Sequence, residues 1–331
     1  MKDERAREYP LIAIVGPTAA GKSALGLSLA ERLNGEVVNY DSVQIYRGFD
    51  IGTGKLPLAE RRGISHHLVD CLDPGDGFTA GDFRREALEA LHEIRRRARL
   101  PILVGGTGLY LRALLLGLFE GPPRSEELRA RLRGLAARRG REFIHRLLKR
   151  LDPASARRID PQDLQKAIRA VEVCLLSRQS LSALHAGGRQ ALEGFRCIKI
   201  GLNPARDGLY ARINQRVEWM FASGLREEVQ RLLAQPDAPR MKAMGALGYR
   251  QVAAALGGEI TWQKALEETQ AATRQYAKRQ MTWFRRESEV TWFSAFGDDP
   301  ELQDQVFGSV NVMLGSKSRE AVDWPRTSPL F

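Results

Sequence analysis

The chain has 331 residues, with 51 Lys and Arg against 40 Asp and Glu, a formal net charge of +11 and a pI near 9.9. An apolar stretch at 109–119 is short and interrupted by Arg112, which excludes a membrane-spanning segment there. The cysteines Cys71, Cys174 and Cys197 lack the spacing of a disulfide framework and no signal-peptide pattern is present, so we expect a protein of the reducing cytoplasm.

The first motif that carries chemistry is a predicted phosphate loop. It follows the apolar run 11–15, which is typical of a buried strand, and we predict a helix directly after it. The loop residues are Gly16, Pro17, Thr18, Ala19, Ala20, Gly21, Lys22 and Ser23. In this setting backbone amides, the helix N-terminus and Lys22 bind a polyphosphate, and the Ser23 hydroxyl binds Mg²⁺. A glycine-rich turn that binds nothing is disfavoured by the order strand, loop, helix.

A second predicted strand, 36–40, leads into Asp41. A nucleotide hydrolase needs an Asp after a later apolar strand to hold its metal ion, but the strand at 101–104 leads into Gly-Gly-Thr-Gly instead. Because the carboxyl ends of parallel strands line one crevice, we expect Asp41, Thr107 and the phosphate loop to converge there. On position alone, Asp41 could equally be an ordinary turn or helix-capping residue.

The middle of the chain holds nearly all of the excess positive charge. Residues 121–199 contain 18 Lys and Arg against 8 Asp and Glu, whereas 1–120 has 16 against 16 and 200–331 has 17 against 16. A Gly-Pro-Pro boundary at 121–123 is followed by helical patterns, and a strand at 197–202 then resumes. A basic helical surface of this kind suits RNA phosphates, although such a run can also be a solvated helical face.

We therefore predict an α/β fold with a P-loop-containing, doubly wound parallel sheet core and an all-helical insertion domain. The core is expected in two parts, 8–120 and 197–293, around a basic helical insertion at 121–196 that we expect to bind RNA. The polar tail 294–331 is expected to be largely mobile.

Taken together, the motifs resemble the tRNA dimethylallyltransferase family over roughly residues 11–293. The stretches that carry the resemblance are 16–23, 41–55, 105–110, 209–217, 248–251 and 276–285. The resemblance implies transfer of a dimethylallyl group from dimethylallyl diphosphate to N6 of the adenosine 3′ of a tRNA anticodon. The partners it implies are the tRNA anticodon stem-loop and dimethylallyl diphosphate, with Mg²⁺ as cofactor; we further expect a monomer.

The resemblance also implies roles for individual residues. Residues 16–23 bind the diphosphate, and Asp41 accepts the proton that the amine loses, with Lys22, Ser23 and Thr107 completing the catalytic set. The tRNA-binding residues it implies are Asp41, Ser42, Val43, Gln44, Thr107, Arg129, Gln165, Lys166, Ala167, Ile168 and Arg169.

Two positions depart from the family pattern. Lys166 stands where Arg is usual, which keeps the charge but loses the two-pronged hydrogen-bonding geometry of a guanidinium. Gly245 stands where many relatives carry Arg, and Lys242 or Arg250 is a candidate replacement.

Three other functions stay open on the residues alone. A phosphate-loop small-molecule kinase of the shikimate-kinase kind would bind ATP and need no basic insertion. A prenyltransferase acting on free adenine nucleotides shares the chemistry but not the insertion. An RNA-binding module would use the phosphate loop only as a ligand switch.

Overall fold

The computed structural model of the protein describes residues 8–119, 121–186 and 188–315. They divide into two units. The α/β unit comprises the described residues up to Leu115 together with those from Glu193 onward, and the helical unit comprises those between Leu116 and Leu192.

A six-stranded, wholly parallel sheet organises the α/β unit. Its strands are β1 Tyr9–Val15, β2 Gly35–Asn39, β3 His66–His67, β4 Leu100–Val104, β5 Phe195–Leu202 and β6 Val290–Phe293. Their order is β3-β2-β4-β1-β5-β6, so β1 is central, and every pairing between them is parallel. This is the predicted doubly wound arrangement, in which the crevice at the carboxyl ends of the strands is the expected ligand site.

Helices connect the strands of the α/β unit and form the helical unit. The α/β unit contains α1 Lys22–Arg32, α2 Ala80–Arg96, α3 Gly108–Leu116 at its boundary, and, after the helical unit, α9 Arg206–Ala222, α10 Leu225–Leu233, α11 Tyr249–Leu256, α12 Trp262–Phe284 and α13 Pro300–Gly315. The helical unit contains α4 Glu126–Arg139, α5 Arg141–Leu151, α6 Pro153–Arg158, α7 Leu164–Ser177 and α8 Leu181–Ala186.

Strands β2 and β4 are buried along their whole length, and β1 is buried over its last five residues. All five residues of β2 and all five of β4 are buried, as expected for strands covered by helices on both faces.

Between α9 and α10 the chain turns at Gly224, whose φ of +105° is a conformation that side-chain-bearing residues avoid.

The prediction of a mobile tail is wrong for residues 300–315. They form α13, and Leu302, Val306 and Val310 are buried in the same apolar cluster as Ile14 and Leu25. The spacing of four residues places these three side chains on one helix face, a signal hidden by the polar composition around it. The rest of the predicted tail, 316–331, lies outside the described residues.

The helical unit has an apolar core of its own. Leu132 of α4, Ile144 and Leu148 of α5, and Val171 of α7 are buried together in one cluster. Ser125 caps α4 by accepting a hydrogen bond from the Leu128 amide at 3.2 Å, shortly after the predicted boundary at 121–123.

Candidate active site

The phosphate loop joins β1 to α1 in a tight turn. Gly21 has a φ of +86°, and a Cβ there would lie only 2.6 Å from the Gly297 nitrogen. The Gly297 amide in turn donates a hydrogen bond to the Ala20 carbonyl at 2.8 Å. The loop therefore needs glycine at position 21, and its outer side is held by a segment that the sequence assigned to the tail.

Lys22 projects back over the loop from the start of α1. Its Nζ donates to the Pro17 carbonyl at 2.8 Å. Burial, and then the nearby guanidinium of Arg216, lower the pKa of Lys22 to about 7, with the Asp41 carboxylate acting in the opposite direction. A bound anion would favour the charged ammonium form.

Asp41 lies just past the carboxyl end of β2, as predicted. Its Oδ1 accepts hydrogen bonds from the amides of Val43 at 2.9 Å and Gln44 at 3.4 Å, so one oxygen does cap a turn. Among the described residues, no hydrogen-bond donor reaches Oδ2. Oδ2 is therefore the oxygen available to accept a proton.

Thr107 stabilises the Asp41 loop from the neighbouring strand end. Its Oγ1 accepts a hydrogen bond from the Ser42 amide at 3.0 Å and donates to the Ser42 hydroxyl at 3.1 Å. It does not line the main cavity, so its contact with the site runs through Ser42.

A cavity of about 280 Å³ joins the phosphate loop to Asp41. Thr18 and Ala19 of the loop line it together with Asp41, Ser42 and Val43. Helices α9, α11 and α12 and the residues before α11 supply the opposite wall, which includes Ile213, Arg216, Val217, Met220, Ala246, Leu247, Tyr249, Tyr276 and Arg279. The cavity thus presents an anion-binding end, a carboxylate and an apolar wall suited to a hydrocarbon chain.

Arg216 is a cation of the site that the sequence analysis did not single out. Its guanidinium donates to the Thr53 carbonyl at 3.0 Å, and burial lowers its pKa while Asp41 raises it. It falls within the motif 209–217, but on an amphipathic helix with several arginines nothing distinguishes the one that points into the cavity. Neither Lys242 nor Arg250 lines the cavity, whereas Arg216 and Arg279 do.

Gln280 was also missed, and it connects two loops of the site. Its Oε1 accepts a hydrogen bond from the Thr18 amide at 2.8 Å, and its Nε2 donates to the Gly106 carbonyl at 3.0 Å. The side chain belongs to a residue only 5% exposed. Gln280 therefore holds the phosphate loop against the loop that contains Thr107.

Ser23 is the one predicted metal ligand. It is exposed in the first turn of α1, and no described residue forms a hydrogen bond with its hydroxyl. The described residues contain no group of three His, Cys, Asp or Glu that could hold a metal ion. Mg²⁺ commonly binds to few protein oxygens together with substrate phosphates, which is compatible with a single hydroxyl ligand; Ser23 as that ligand stays a prediction.

The predicted tRNA-binding residues of the helical unit differ in exposure. Gln165 and Lys166 are exposed on α7, whereas Ala167 and Ile168 are buried in the core of the unit. Adjacent helix positions do not share one face, so a tRNA contact of Ala167 or Ile168 would involve the backbone, and it stays a prediction.

Arg129 and Arg169 meet at a buried carboxylate. Arg129 donates to Glu172 from Nε at 2.9 Å and from a terminal nitrogen at 2.8 Å, and Arg169 donates to it at 2.7 Å. Burial alone would raise the pKa of Glu172, but these bonds and one from the Ser125 amide lower it to about 2. Both arginines thus have a structural role in addition to their predicted one.

Comparison with known proteins shows to which family the chain is similar. The family model described as IPP transferase matches residues 44–287. A tRNA dimethylallyltransferase of Solibacter usitatus is 50% identical over 306 residues, which cover 92% of this chain and 99% of that protein. A tRNA dimethylallyltransferase of Koribacter versatilis is 51% identical over 293 residues, covering 88% and 95% respectively.

Solved structures agree with these sequence matches. The full-length tRNA isopentenylpyrophosphate transferase of Bacillus halodurans superposes with a TM-score of 0.69 at 36% identity, covering 94% of this chain and 98% of that one. A eukaryotic dimethylallyltransferase acting on tRNA gives a TM-score of 0.79 at 25% identity, covering 96% and 82%. No described helix is both long and apolar enough to cross a lipid bilayer.

Proposed function

The chain belongs to the IPP transferase family, and we propose that it transfers the dimethylallyl group of dimethylallyl diphosphate to N6 of the adenosine that follows the anticodon of tRNA, releasing diphosphate. It is accordingly a prenyl-transferring enzyme. The observation that carries the proposal is the single cavity that the phosphate loop and Asp41 share.

The leaving diphosphate is proposed to bind at residues 16–23. As the allylic C–O bond breaks, its electron pair departs with the diphosphate, and the loop amides together with Lys22 and Arg216 meet the added negative charge. Mg²⁺ held by Ser23 and the diphosphate oxygens would supply further charge stabilisation there. The apolar side chains of Ile213, Val217 and Met220 surround the hydrocarbon chain and exclude water from the reacting carbon.

The acceptor nitrogen is activated by loss of a proton. The N6 amine of adenine is a weak nucleophile because its lone pair is delocalised into the ring. As the new N–C bond forms, the N6 proton passes to Oδ2 of Asp41, while Oδ1 keeps the carboxylate oriented through the Val43 and Gln44 amides. Thr107, through Ser42, keeps this loop in place.

The RNA partner is supported by the charge of the helical unit. The exposed Gln165 and Lys166 are proposed to contact tRNA directly, together with the partly exposed Arg129 and Arg169. The acceptor adenosine must leave the stack of the anticodon loop to enter the cavity, at a cost of a few kcal/mol. We place the reaction in the cytoplasm, where tRNA is modified; the monomeric state stays a prediction.

A label-transfer experiment tests the proposal. The protein is incubated with radiolabelled dimethylallyl diphosphate and, in separate reactions, unmodified tRNA or free AMP; a further reaction offers γ-labelled ATP with small hydroxylated acceptors. We expect label only in tRNA, at the adenosine next to the anticodon. Transfer to AMP alone would assign the activity to free nucleotides, and transfer of phosphate from ATP would assign it to a kinase.

A further inference from the structure

The helical unit contains a second cavity that the reaction chemistry does not use. It has a volume of about 360 Å³, within the size range of small-ligand sites and large enough for one nucleotide. We call it the helical-unit pocket. Its lining residues are Phe119, Ser155, Arg158, Ile159, Lys166, Arg169, Leu181 and His185.

One wall of the pocket is aromatic and apolar. The rings of Phe119 and His185 lie 4.6 Å apart, tilted by 31°, beside the aliphatic side chains of Ile159 and Leu181. Burial, followed by the charges of Arg189 and Arg158, lowers the pKa of His185, which favours the neutral form of its ring. A neutral pair of rings is a stacking surface for a flat, apolar face.

Three of the remaining lining residues are cationic, and the fourth is Ser155. Arg158 is exposed, and its guanidinium has no hydrogen-bond or ion-pair partner among the described residues. Arg169 is fixed by Glu172 at 2.7 Å and by the Pro122 carbonyl at 3.2 Å, so its plane is oriented before any ligand arrives. Lys166 is the third cation of the lining, and its Nζ donates to the Asp163 carboxylate at 2.6 Å.

Aromatic faces beside cations are the chemistry that binds single-stranded nucleic acid. Bases stack on the rings or on a guanidinium plane, and cations neutralise the adjoining phosphate. A buried metabolite anion would instead need a fixed donor set on every side, whereas here one wall is apolar. The surrounding charge, 18 Lys and Arg against 8 Asp and Glu over 121–199, fits an RNA ligand in particular.

We propose that the helical-unit pocket binds one unpaired nucleotide of the substrate RNA other than the acceptor adenosine, with its base against Phe119 and His185 and its phosphate at Arg158. This inference rests on the proposed function, since it takes the RNA to be the substrate. It adds a second point of recognition, which selects RNA that has an unpaired nucleotide in addition to the acceptor.

The experiment combines protein variants with a set of RNAs. Anticodon stem-loops carrying a single abasic nucleotide at each unpaired position in turn are titrated against the wild-type protein and Phe119→Ala. We expect one position, not the acceptor, at which base removal weakens binding to the wild type by about 5- to 100-fold and has no further effect on Phe119→Ala. Phe119→Trp, which keeps a stacking surface, should restore the sensitivity.

Arginine variants provide a matched control. Arg157 is exposed next to Arg158 but does not line the pocket. Arg158→Ala should reduce the effect of the sensitive abasic position, whereas Arg157→Ala should leave that effect as in the wild type. Equal abasic effects in the wild type and Phe119→Ala at every position would overturn the proposal.

A measurement on the wild-type protein does not depend on the variants folding. 5-Iodouridine is placed at each unpaired position and cross-linked by light, and the labelled peptide is mapped. A cross-link from the sensitive position to Phe119 or His185 supports the pocket; cross-links only to other peptides contradict it. If the wild type transfers the prenyl group to tRNA but shows neither signal, the pocket inference fails while the proposed function stands; if it binds no tRNA, the proposed function itself fails.

Discussion

Lys22 is the residue at which the phosphate loop responds to pH. Its ordinary pKa of 10.5 is lowered to about 7, so the amine is increasingly neutral above that pH in the unliganded protein, and a diphosphate favours the charged form. We therefore expect kcat/KM for dimethylallyl diphosphate to fall as pH rises above about 7, by up to about tenfold per pH unit. The measurement is a kcat/KM profile at saturating tRNA between about pH 6 and 9.

Lys22→Arg is the control for this titration. Arginine keeps its charge throughout the range, so this variant should show a flatter profile above neutrality, whatever its absolute rate. A wild-type profile with no decline above pH 7, or an equal decline in the variant, would show that another group controls the dependence.

The buried Glu172 changes what is expected of Arg129. From sequence, Arg129 is an RNA contact whose loss lowers the salt dependence of binding by about one phosphate equivalent. In the structure its removal also leaves a fully buried carboxylate with one guanidinium fewer. We therefore expect Arg129→Ala to destabilise the protein by about 3–5 kcal/mol, measured by urea unfolding.

Arg131 provides the comparison on the same helix. Its side chain is 73% exposed and, within the described part of the chain, pairs only with the exposed Glu127 one turn away. Arg131→Ala should cost no more than about 1 kcal/mol. Equal stabilities of the two variants would mean that Glu172 does not need Arg129.

The stability that Glu172 contributes should depend on pH. Because the pKa of Glu172 is lowered, this stability should be present above the ordinary pKa of 4.5 and be lost as pH falls towards 2.

At the scale of elements, α12 positions the phosphate loop through Gln280. Gln280→Ala removes both the acceptor of the Thr18 amide and the donor to Gly106. Because unsatisfied buried polar groups cost about 1–3 kcal/mol, we expect KM for dimethylallyl diphosphate to rise by about tenfold or more. Steady-state kinetics at saturating tRNA measures this.

Gln270→Ala tests whether the effect is specific. Gln270 lies on the same helix and donates to Glu218 at 2.9 Å, away from the phosphate loop. It should leave KM for the diphosphate unchanged. An unchanged KM in Gln280→Ala as well would separate α12 from diphosphate binding.

The helix α13 belongs to the core of the α/β unit. Leu302 is 3% exposed in the cluster that also contains Val306 and Ile14, whereas Val312 on the same helix is 69% exposed. Leu302→Ala should lower the free energy of unfolding by about 2–5 kcal/mol, and Val312→Ala should change it by less than about 0.5 kcal/mol. Equal denaturant midpoints for the two variants would indicate that α13 is not part of the folded core.

Elements with strong local patterns could be predicted from the sequence, and those defined by tertiary contacts could not. The apolar runs before Gly16 and Gly105 predicted β1 and β4, because a central parallel strand is buried on both faces. The two-residue β3 and the partly exposed β6 exist through their pairing with β2 and β5, which no local pattern encodes. The helix α13 could not be predicted either, because only three of its side chains are buried.

At the scale of the whole molecule, the excess positive charge is concentrated in the middle of the chain. Nearly all of the net charge of +11 lies between residues 121 and 199, while the segments that build the sheet are almost neutral. The reaction chemistry could be predicted from short motifs because a phosphate loop and a carboxylate after β2 must meet at one sheet edge. The roles of Arg216 and Gln280 could not be predicted from the sequence, since the site to which they contribute is assembled from helices far apart along the chain.

The central claim is that one cavity brings the departing diphosphate to a carboxylate that accepts the N6 proton. Asp41→Asn is nearly isosteric but cannot take up that proton. Its single-turnover transfer rate, at saturating dimethylallyl diphosphate and tRNA, is the most direct test, with Asp73→Asn as an exposed control outside the cavity. We predict a rate at least about 100-fold below wild type for Asp41→Asn, with tRNA affinity little changed and Asp73→Asn unaffected. Transfer by Asp41→Asn at the wild-type rate would contradict the account.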